Sequence, residues 1–559
     1  MTLAAAAKRS GLFVGHGSLP RLHLAWNFLH FSPTGSGTGI AGAASVLQSA
    51  PTRLQSRNSC SSSTTKCSKR NGQSASAICA HSLPRSTQGG AALAVATAGF
   101  SVFALGWQGR NSSSSSSSSG SRIAHCASCP SRGSRVYVWG SNIDGQVGVG
   151  SALSVSLPVV LSSLPLRPHE TVLSLSGGPR HSACVTSEGR VFSWGRGGAG
   201  DCGGPSAAEG PQEVLLPLEK GDRPLSVCCG NGFSLVVTEM GCLYTWGSNS
   251  HGQCGRPPHE ASSDHQELGL SADKSFLKGI DRRDVFGGRA RSSPFLPPGK
   301  VGGLLATRKV VGASCGDRMC AAVTSDGEVF VWGDARAGGI HGGDRTQEGR
   351  PLPHEPRLVP LPAEEEGGPA RAVSVACGES HCMALSERGF VYTWGSNFYG
   401  QLGLGGGPRT VEGPQLVSAL KDQNVVAVAC GAQHSLCLTQ DGKVFVWGYG
   451  KDGQCAEPTH LDVPLPLQVD FGDSSGTPSV GRCTQISGGE GHSLALCGEG
   501  KLYVWGRGRE GQLGRGGLIE SPAASRDVPV EVTLGDSEKV VLAACGGCHT
   551  VAATRPSTA

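Results

Sequence analysis

From residue 108 onward, every tryptophan of this 559-residue chain stands in one setting, at the end of a β-prone run and directly before a glycine. The seven are Trp139, Trp194, Trp246, Trp332, Trp394, Trp447 and Trp505, with successive spacings of 55, 52, 86, 62, 53 and 58 residues. Repetition at such a period constrains the fold more than any local propensity does. The run before each Trp-Gly alternates β-branched and aromatic residues, as in Val444-Phe445-Val446-Trp447, the pattern of a strand packed on a neighbouring sheet. In six repeats a polar residue or Met followed by Gly precedes that strand: Glu188-Gly189, Met240-Gly241, Asp326-Gly327, Arg388-Gly389, Asp441-Gly442 and Glu499-Gly500. A two-residue reverse turn is expected there, because such turns need positive φ.

Two further elements keep step with the tryptophans. Upstream of each hairpin lies Gly-x-x-His or a variant, at Gly178–His181, Gly378–His381, Gly431–His434, Gly489–His492 and Gly546–His549, with Phe233 and Met319 in the histidine slot of two repeats. Downstream lies Asn-x-x-Gly-Gln-x-Gly, complete at Asn142–Gly148, Asn249–Gly255 and Asn397–Gly403, partial after Trp447 and Trp505, and degraded after Trp194 and Trp332. The array begins with a Trp-Gly strand, Val136–Trp139, that has no preceding Gly-x-x-His element. It ends with such an element, Gly546–His549, that has no following Trp-Gly strand. The two half-units are complementary, so Gly546–Ala553 is expected to pair within the sheet that holds Val136–Trp139.

Seven copies of these linked motifs resemble the regulator of chromosome condensation family over residues 134–554. The resemblance implies an all-β fold, a seven-bladed β-propeller of four-stranded blades closed by pairing of the N- and C-terminal strands. Physical reasoning agrees: a single unit cannot bury both faces of its small sheet, and ring closure removes long exposed edges. The family includes ultraviolet-B photoreceptors with extra tryptophans one residue after the Gly of Gly-x-x-His. The corresponding residues here are Pro179, Asn231, Asp317, Glu379, Ala432, Glu490 and Gly547, which argues against a light sensor of that design. For the founding member the resemblance implies guanine nucleotide exchange on the GTPase Ran and binding to chromatin.

Charge divides the chain. The first 143 residues hold 13 of the 48 Lys and Arg and none of the 43 acids, which leaves 35 basic against 43 acidic residues and a net charge of −8 from Asp144 onward. An acidic body weighs against chromatin docking, which relies on neutralising phosphates. Residues 1–134 are basic, Ser-rich and acid-free, the composition of an organelle transit peptide. A mitochondrial location is expected, with the plastid as alternative, and the cytoplasm or nucleus if the leader is unused. Within the leader, 24 uncharged residues separate Arg85 from Arg110, and the apolar centre 91–107 approaches the length of a membrane-spanning helix. Membrane association is thus weighed against a mildly apolar part of the leader. A wrongly assigned gene start would make the whole leader uninformative.

The remaining motifs favour structure over chemistry. Cys545-Gly-Gly-Cys548-His549 matches the attachment pattern of c-type haem. Cys also precedes the repeat glycine at Cys229, Cys315, Cys377 and Cys430, however, and His549 occupies the repeat slot. The histidines His181, His381, His434, His492 and His549 come from different repeats, too far apart for one tetrahedral metal site, and are expected to hydrogen-bond their turns. The 22 cysteines form no disulfide framework of the small secreted type, which suits a reducing compartment. The long third spacing places an insertion at 256–300, whose Arg282, Arg283, Arg289 and Arg291 suit a partner-binding loop or, alternatively, a disordered insertion. No catalytic, cofactor or metal site is expected. The expected function is a monomeric, non-catalytic interaction propeller in an organelle, acting on a protein partner such as a small GTPase or a ribonucleoprotein; the alternative is a guanine nucleotide exchange factor for a small GTPase.

Overall fold

The computed structural model describes residues 97–98, 101–103, 133–197, 210–257, 295–334, 354–364, 368–472, 481–516, 526–535 and 538–556. Their architecture is seven antiparallel four-stranded blades in a ring. Blade one comprises Val172–Gly177, His181–Thr186, Val191–Gly195 and Gln212–Glu213. Blade two comprises Pro224–Cys229, Phe233–Thr238, Leu243–Ser248 and Phe295–Lys300. Blade three comprises Val310–Cys315, Met319–Thr324, Val329–Gly333 and Arg357–Val359. Blade four comprises Ala372–Cys377, His381–Ser386, Val391–Ser396 and Thr410–Leu416. Blade five comprises Val425–Cys430, His434–Thr439, Val444–Gly448 and Val463–Gln468. Blade six comprises Cys483–Gly488, His492–Cys497, Lys501–Gly506 and Arg526–Val532. The first strand of each blade touches the first strands beside it and lines the central channel.

Blade seven joins the two chain ends. Its inner strands are Glu538–Cys545 and His549–Pro556, and its outer strands are Arg135–Ser141 and Ser154–Val160. Val136 lies opposite Ala553, Val138 opposite Val551 and Trp139 opposite Thr550, the closure that the complementary half-repeats imply.

Alternation along each Trp strand distributes side chains to two neighbours. In blade seven Val136 and Val138 pack with Leu175, Phe192 and Trp194 of blade one, whereas Tyr137 and Trp139 pack with Leu494, Leu502 and Val504 of blade six. Seven apolar clusters form, one at each blade–blade interface. All seven repeat tryptophans are buried in them.

The polar repeat residues stitch the same interfaces. The Nε2 atoms of His181, His381, His434, His492 and His549 lie 2.7–3.1 Å from the hydroxyls of Ser234, Ser435, Ser493, Thr550 and Ser182, each on the following blade. Several of these hydroxyls donate in turn to the main-chain carbonyl of a repeat glutamine: Ser182 to Gln146, Ser435 to Gln401, Ser493 to Gln454 and Thr550 to Gln512. A hydroxyl that donates its one proton to a carbonyl must accept from histidine, so Nε2 carries the proton. The indoles of Trp139, Trp332, Trp447 and Trp505 donate to the same class of carbonyl on the preceding blade, at Gln512, Gln253, Gln401 and Gln454. The histidines therefore hold the next blade rather than their own turn.

The two departures from histidine match a second departure. Phe233 and Met319 replace His on blades two and three, and the hydroxyl slots of the following blades hold Cys320 and Cys382. The Cys382 sulfur lies 3.9 Å from that of Met319. Both partners of the polar bond are exchanged together, so neither is left buried and unsatisfied.

Other sequence expectations need correction. The hairpin turns are three-residue loops: the amide of Gly189 donates to Thr186 and that of Thr186 to Arg190, with φ +77° at Gly189. The loop thus ends in a left-handed glycine, and the Thr186 hydroxyl further accepts from the Arg190 amide. The fourth strand of blade two, Phe295–Lys300, with Leu296 buried, falls inside the stretch assigned to the insertion. The leader stretch 91–107 contains two short strands, Thr97–Ala98 and Ser101–Phe103, instead of a spanning helix, and among the described residues no helix is long and apolar enough to cross a membrane. Among the described residues one disulfide links Cys483 to Cys497, which strand register sets directly opposite each other. Cysteine spacing alone carries no such register.

Ring closure predicts that truncation after Ala544 lowers the melting temperature of the whole domain, whereas removal of residues 557–559 does not, as read by calorimetry. Val551→Ala, at a fully buried site, should cost about 2 kcal/mol in denaturant unfolding. Burial also holds the five histidines neutral, with pKa values lowered to about 4 at His181, His381 and His492 and about 3 at His434 and His549. Below pH 6.5 the unfolded chain binds protons that the folded imidazoles do not, so stability should fall with pH from 6.5 to about 4. In His381→Gln that slope should shrink, as measured by urea midpoints across the window; an unchanged slope would contradict the assignment.

Candidate functional site at the channel mouth

Each Gly-x-x-His loop turns at the channel end of its blade, and the described residues that follow Trp139-Gly140 and Trp246-Gly247 reach the same face. The amide of Gly378 donates to the His381 carbonyl at 2.8 Å. A Cβ on Gly378 would come within 2.2 Å of His381 Cε1 and 2.7 Å of the Gly431 carbonyl oxygen on the next blade, so glycine alone permits the approach. Five of the loops are then joined in series. Glu379 donates its amide to Ala432, Ala432 to Gly489, Glu490 to Gly547, and Gly547 to Gly178, at 2.9–3.1 Å. These main-chain bonds, a partial belt, tie the loops of blades four, five, six, seven and one together at the rim.

The rim encloses a cavity of about 500 Å³ that all seven of those residues line: Pro179, Asn231, Asp317, Glu379, Ala432, Glu490 and Gly547. Asp144, Arg180 and Cys548 also line it. Four carboxylates thus face one cationic lining residue. Asp144 lies 3.8 Å from Arg180. Asp317 accepts from Asn231 at 2.6 Å and lies 3.2 Å from Arg318. Glu379 accepts from Gln433 at 2.9 Å, and Glu490 lies 4.0 Å from Arg507. Burial, reinforced by Glu490 and Glu510, pushes the Cys548 thiol well above its usual range, so it stays protonated and non-nucleophilic at neutral pH. An acid-rimmed concavity of this size suits a cationic side chain or a basic peptide segment.

The residues singled out from sequence fall in three places. The tryptophans and histidines lie at blade interfaces, outside the cavity. In the haem-like motif, His549 Nε2 is bonded to Ser182 and Cys545 is buried against Ser487. Arg282, Arg283, Arg289 and Arg291 lie outside the described residues. The rim acids were legible only as variable positions within a motif; the signal was three acids among seven equivalent slots. Among the described residues no group of three or more His, Cys, Asp or Glu is placed to hold a metal ion.

Residues 262–559 match the model of the RCC1-like domain, and residues 134–185 and 188–237 match the regulator of chromosome condensation (RCC1) repeat. The chain is 32% identical to the ultraviolet-B receptor UVR8 of Arabidopsis thaliana over 390 residues, covering 69% of this chain and 76% of that protein. It is 30% identical to the secretion-regulating guanine nucleotide exchange factor of Mus musculus, covering 76% and 85%. It is 28% identical to the mitochondrial RCC1 domain-containing protein RUG3 of Arabidopsis thaliana, covering 65% and 72%. It spans only 8% of the mouse E3 ubiquitin-protein ligase HERC2. In fold it matches human WBSCR16, with a TM-score of 0.60 at 24% identity over 76% of this chain and all of that one. With the closed seven-bladed ring, these matches establish that the chain belongs to the regulator of chromosome condensation family.

Proposed function

We propose that this chain is a non-catalytic protein-interaction propeller of an organelle, which docks a basic segment of a protein partner at the channel mouth. The observation that carries the reading is the rim of Asp144, Asp317, Glu379 and Glu490 around a 500 Å³ cavity. These side chains stand on loops outside the apolar clusters, so the rim varies without cost to the fold. The acid-free leader and the likeness to a relative named as mitochondrial support a mitochondrial setting. The leader is read as the import signal, and the propeller as a monomer. An acidic rim favours a protein partner over chromatin or the phosphate backbone of a ribonucleoprotein. Phe295, where blade two resumes, lies opposite Ser248, and the sequence between Pro257 and Phe295 is rich in arginine. Its Arg282, Arg283, Arg289 and Arg291 are read as a second contact for the partner.

A second reading is guanine nucleotide exchange, favoured by the likeness to a relative named for that activity. Exchange requires a surface that stabilises the nucleotide-free GTPase and no bond chemistry, so the mouth would serve either role.

Proximity labelling by tagged full-length protein should enrich a set of organelle proteins. Glu379→Lys with Glu490→Lys should lose that set while the melting temperature stays unchanged. Retention of the full set would count against the mouth. If exchange is the activity, a GTPase in the set should be captured better after EDTA stripping than when loaded with GTP. Residues 1–134 fused to a fluorescent reporter should enter mitochondria; a diffuse cytosolic or nuclear signal would remove the organelle reading. Deleting residues 258–294, with both flanking strands kept, should leave the melting temperature nearly unchanged and weaken capture.

A further inference from the structure

We propose that the channel-facing edge of Val172–Gly177, the inner strand of blade one, is a docking site for an extended peptide, and that its occupant in the intact chain is the leader segment Thr97–Phe103. Two short strands of the leader form an antiparallel pair, with Thr97 opposite Val102 and Ala98 opposite Ser101. The second strand adds to blade one, with Ser101 opposite Ser176, Val102 opposite Leu175 and Phe103 opposite Ser174. The blade-one sheet is six-stranded as a result.

The edge of blade one needs a partner because of how the ring satisfies its inner strands. An inner strand has one sheet partner, and its other edge presents amides toward the channel. At three other interfaces the preceding blade caps such amides with side-chain oxygens. Ser174 accepts from the Val227 amide at 3.2 Å and Ser176 from the Cys229 amide at 2.9 Å. Ser314 accepts from Cys377 at 2.9 Å. Gln485 and Ser487 accept from Ala543 and Cys545 at 3.1 Å. The positions of blade seven equivalent to Ser174 and Ser176 are Leu542 and Ala544, which have no acceptor to offer Leu175 and Gly177. A buried amide without an acceptor is costly, and the added strand supplies main-chain carbonyls in place of the missing oxygens. Blade five, with Ala427 and Ala429, offers blade six no side-chain oxygen either, and Ala376 of blade four offers none to Cys430; the leader takes the edge of blade one.

The leader segment suits the role. Residues 86–109 carry no charge, so no ion enters the channel with them. Loss of the leader would expose the edge to another strand.

Hydrogen exchange followed by mass spectrometry on the full chain tests this. In Val102→Pro, which removes a ladder amide, Val172–Gly177 should exchange faster by on the order of tenfold. The serine-capped strand Pro224–Cys229 should be unchanged. Adding a synthetic peptide of residues 95–105 should restore protection. Equal exchange in both proteins would overturn the proposal. A second measurement leaves the strand intact: with a protease site inserted after Gln108, the cut leader should remain bound to the propeller in native mass spectrometry. Its immediate release would overturn the proposal as well.

Discussion

The bond from a buried histidine to a hydroxyl on the next blade sets the geometry on which the ring depends. Apolar packing supplies most of the attraction between blades, but it is non-directional and tolerates sliding. The relay from imidazole to hydroxyl to glutamine carbonyl fixes three groups on two blades at hydrogen-bond distance. Its tautomer is set by chemistry, because the hydroxyl has one proton and gives it to the carbonyl. The histidine–hydroxyl bond recurs at five interfaces, four of them with the full relay, and the two exceptions change both ends together. The channel mouth rests on this framework, since the glycine that lets the imidazole lie against the main chain also brings the next loop near enough to form the belt.

Division of labour follows. Residues whose side chains turn into the blade interfaces are constrained by packing and by the relay. The first x of each loop lines the mouth and lies outside the apolar clusters and the relay. Seven such positions therefore form a ring whose chemistry is free to change while the blades are not. Here the ring is mostly acidic and polar and contains no aromatic residue.

Much of the fold was legible in the sequence because the repeat makes local signals redundant. Trp139 with no upstream Gly-x-x-His, and His549 with no downstream Trp, implied the mixed blade that the strand register displays. Local geometry was less legible. Glu188-Gly189 suggested a two-residue turn, whereas the left-handed residue of a three-residue loop is also glycine, so the dipeptide does not separate the two. The start of the outer strand at Phe295 was hidden because its Pro297 and Pro298 read as loop; an outer strand tolerates them where the edge is free. The rim acids were visible as residues but not as a site, since their convergence depends on ring closure and no periodicity encodes it. The Cys483–Cys497 pair was missed for the same reason: it depends on register.

The mixed blade has a consequence in time. Arg135–Ser141 emerges early from the ribosome, and the strand that must flank it, His549–Pro556, emerges last. Arg135 and its bonded partner Glu538 are 403 residues apart. At synthesis rates of about 5–20 residues per second, the early strand waits roughly 20–80 s with one edge unpaired. Blades one to six can form in order behind it, each on the face of the last, while blade seven exists as half a sheet. The nascent chain thus carries an open β edge and one uncovered apolar face for most of its synthesis, a state that invites edge pairing with other chains and favours a chaperone near the exit site.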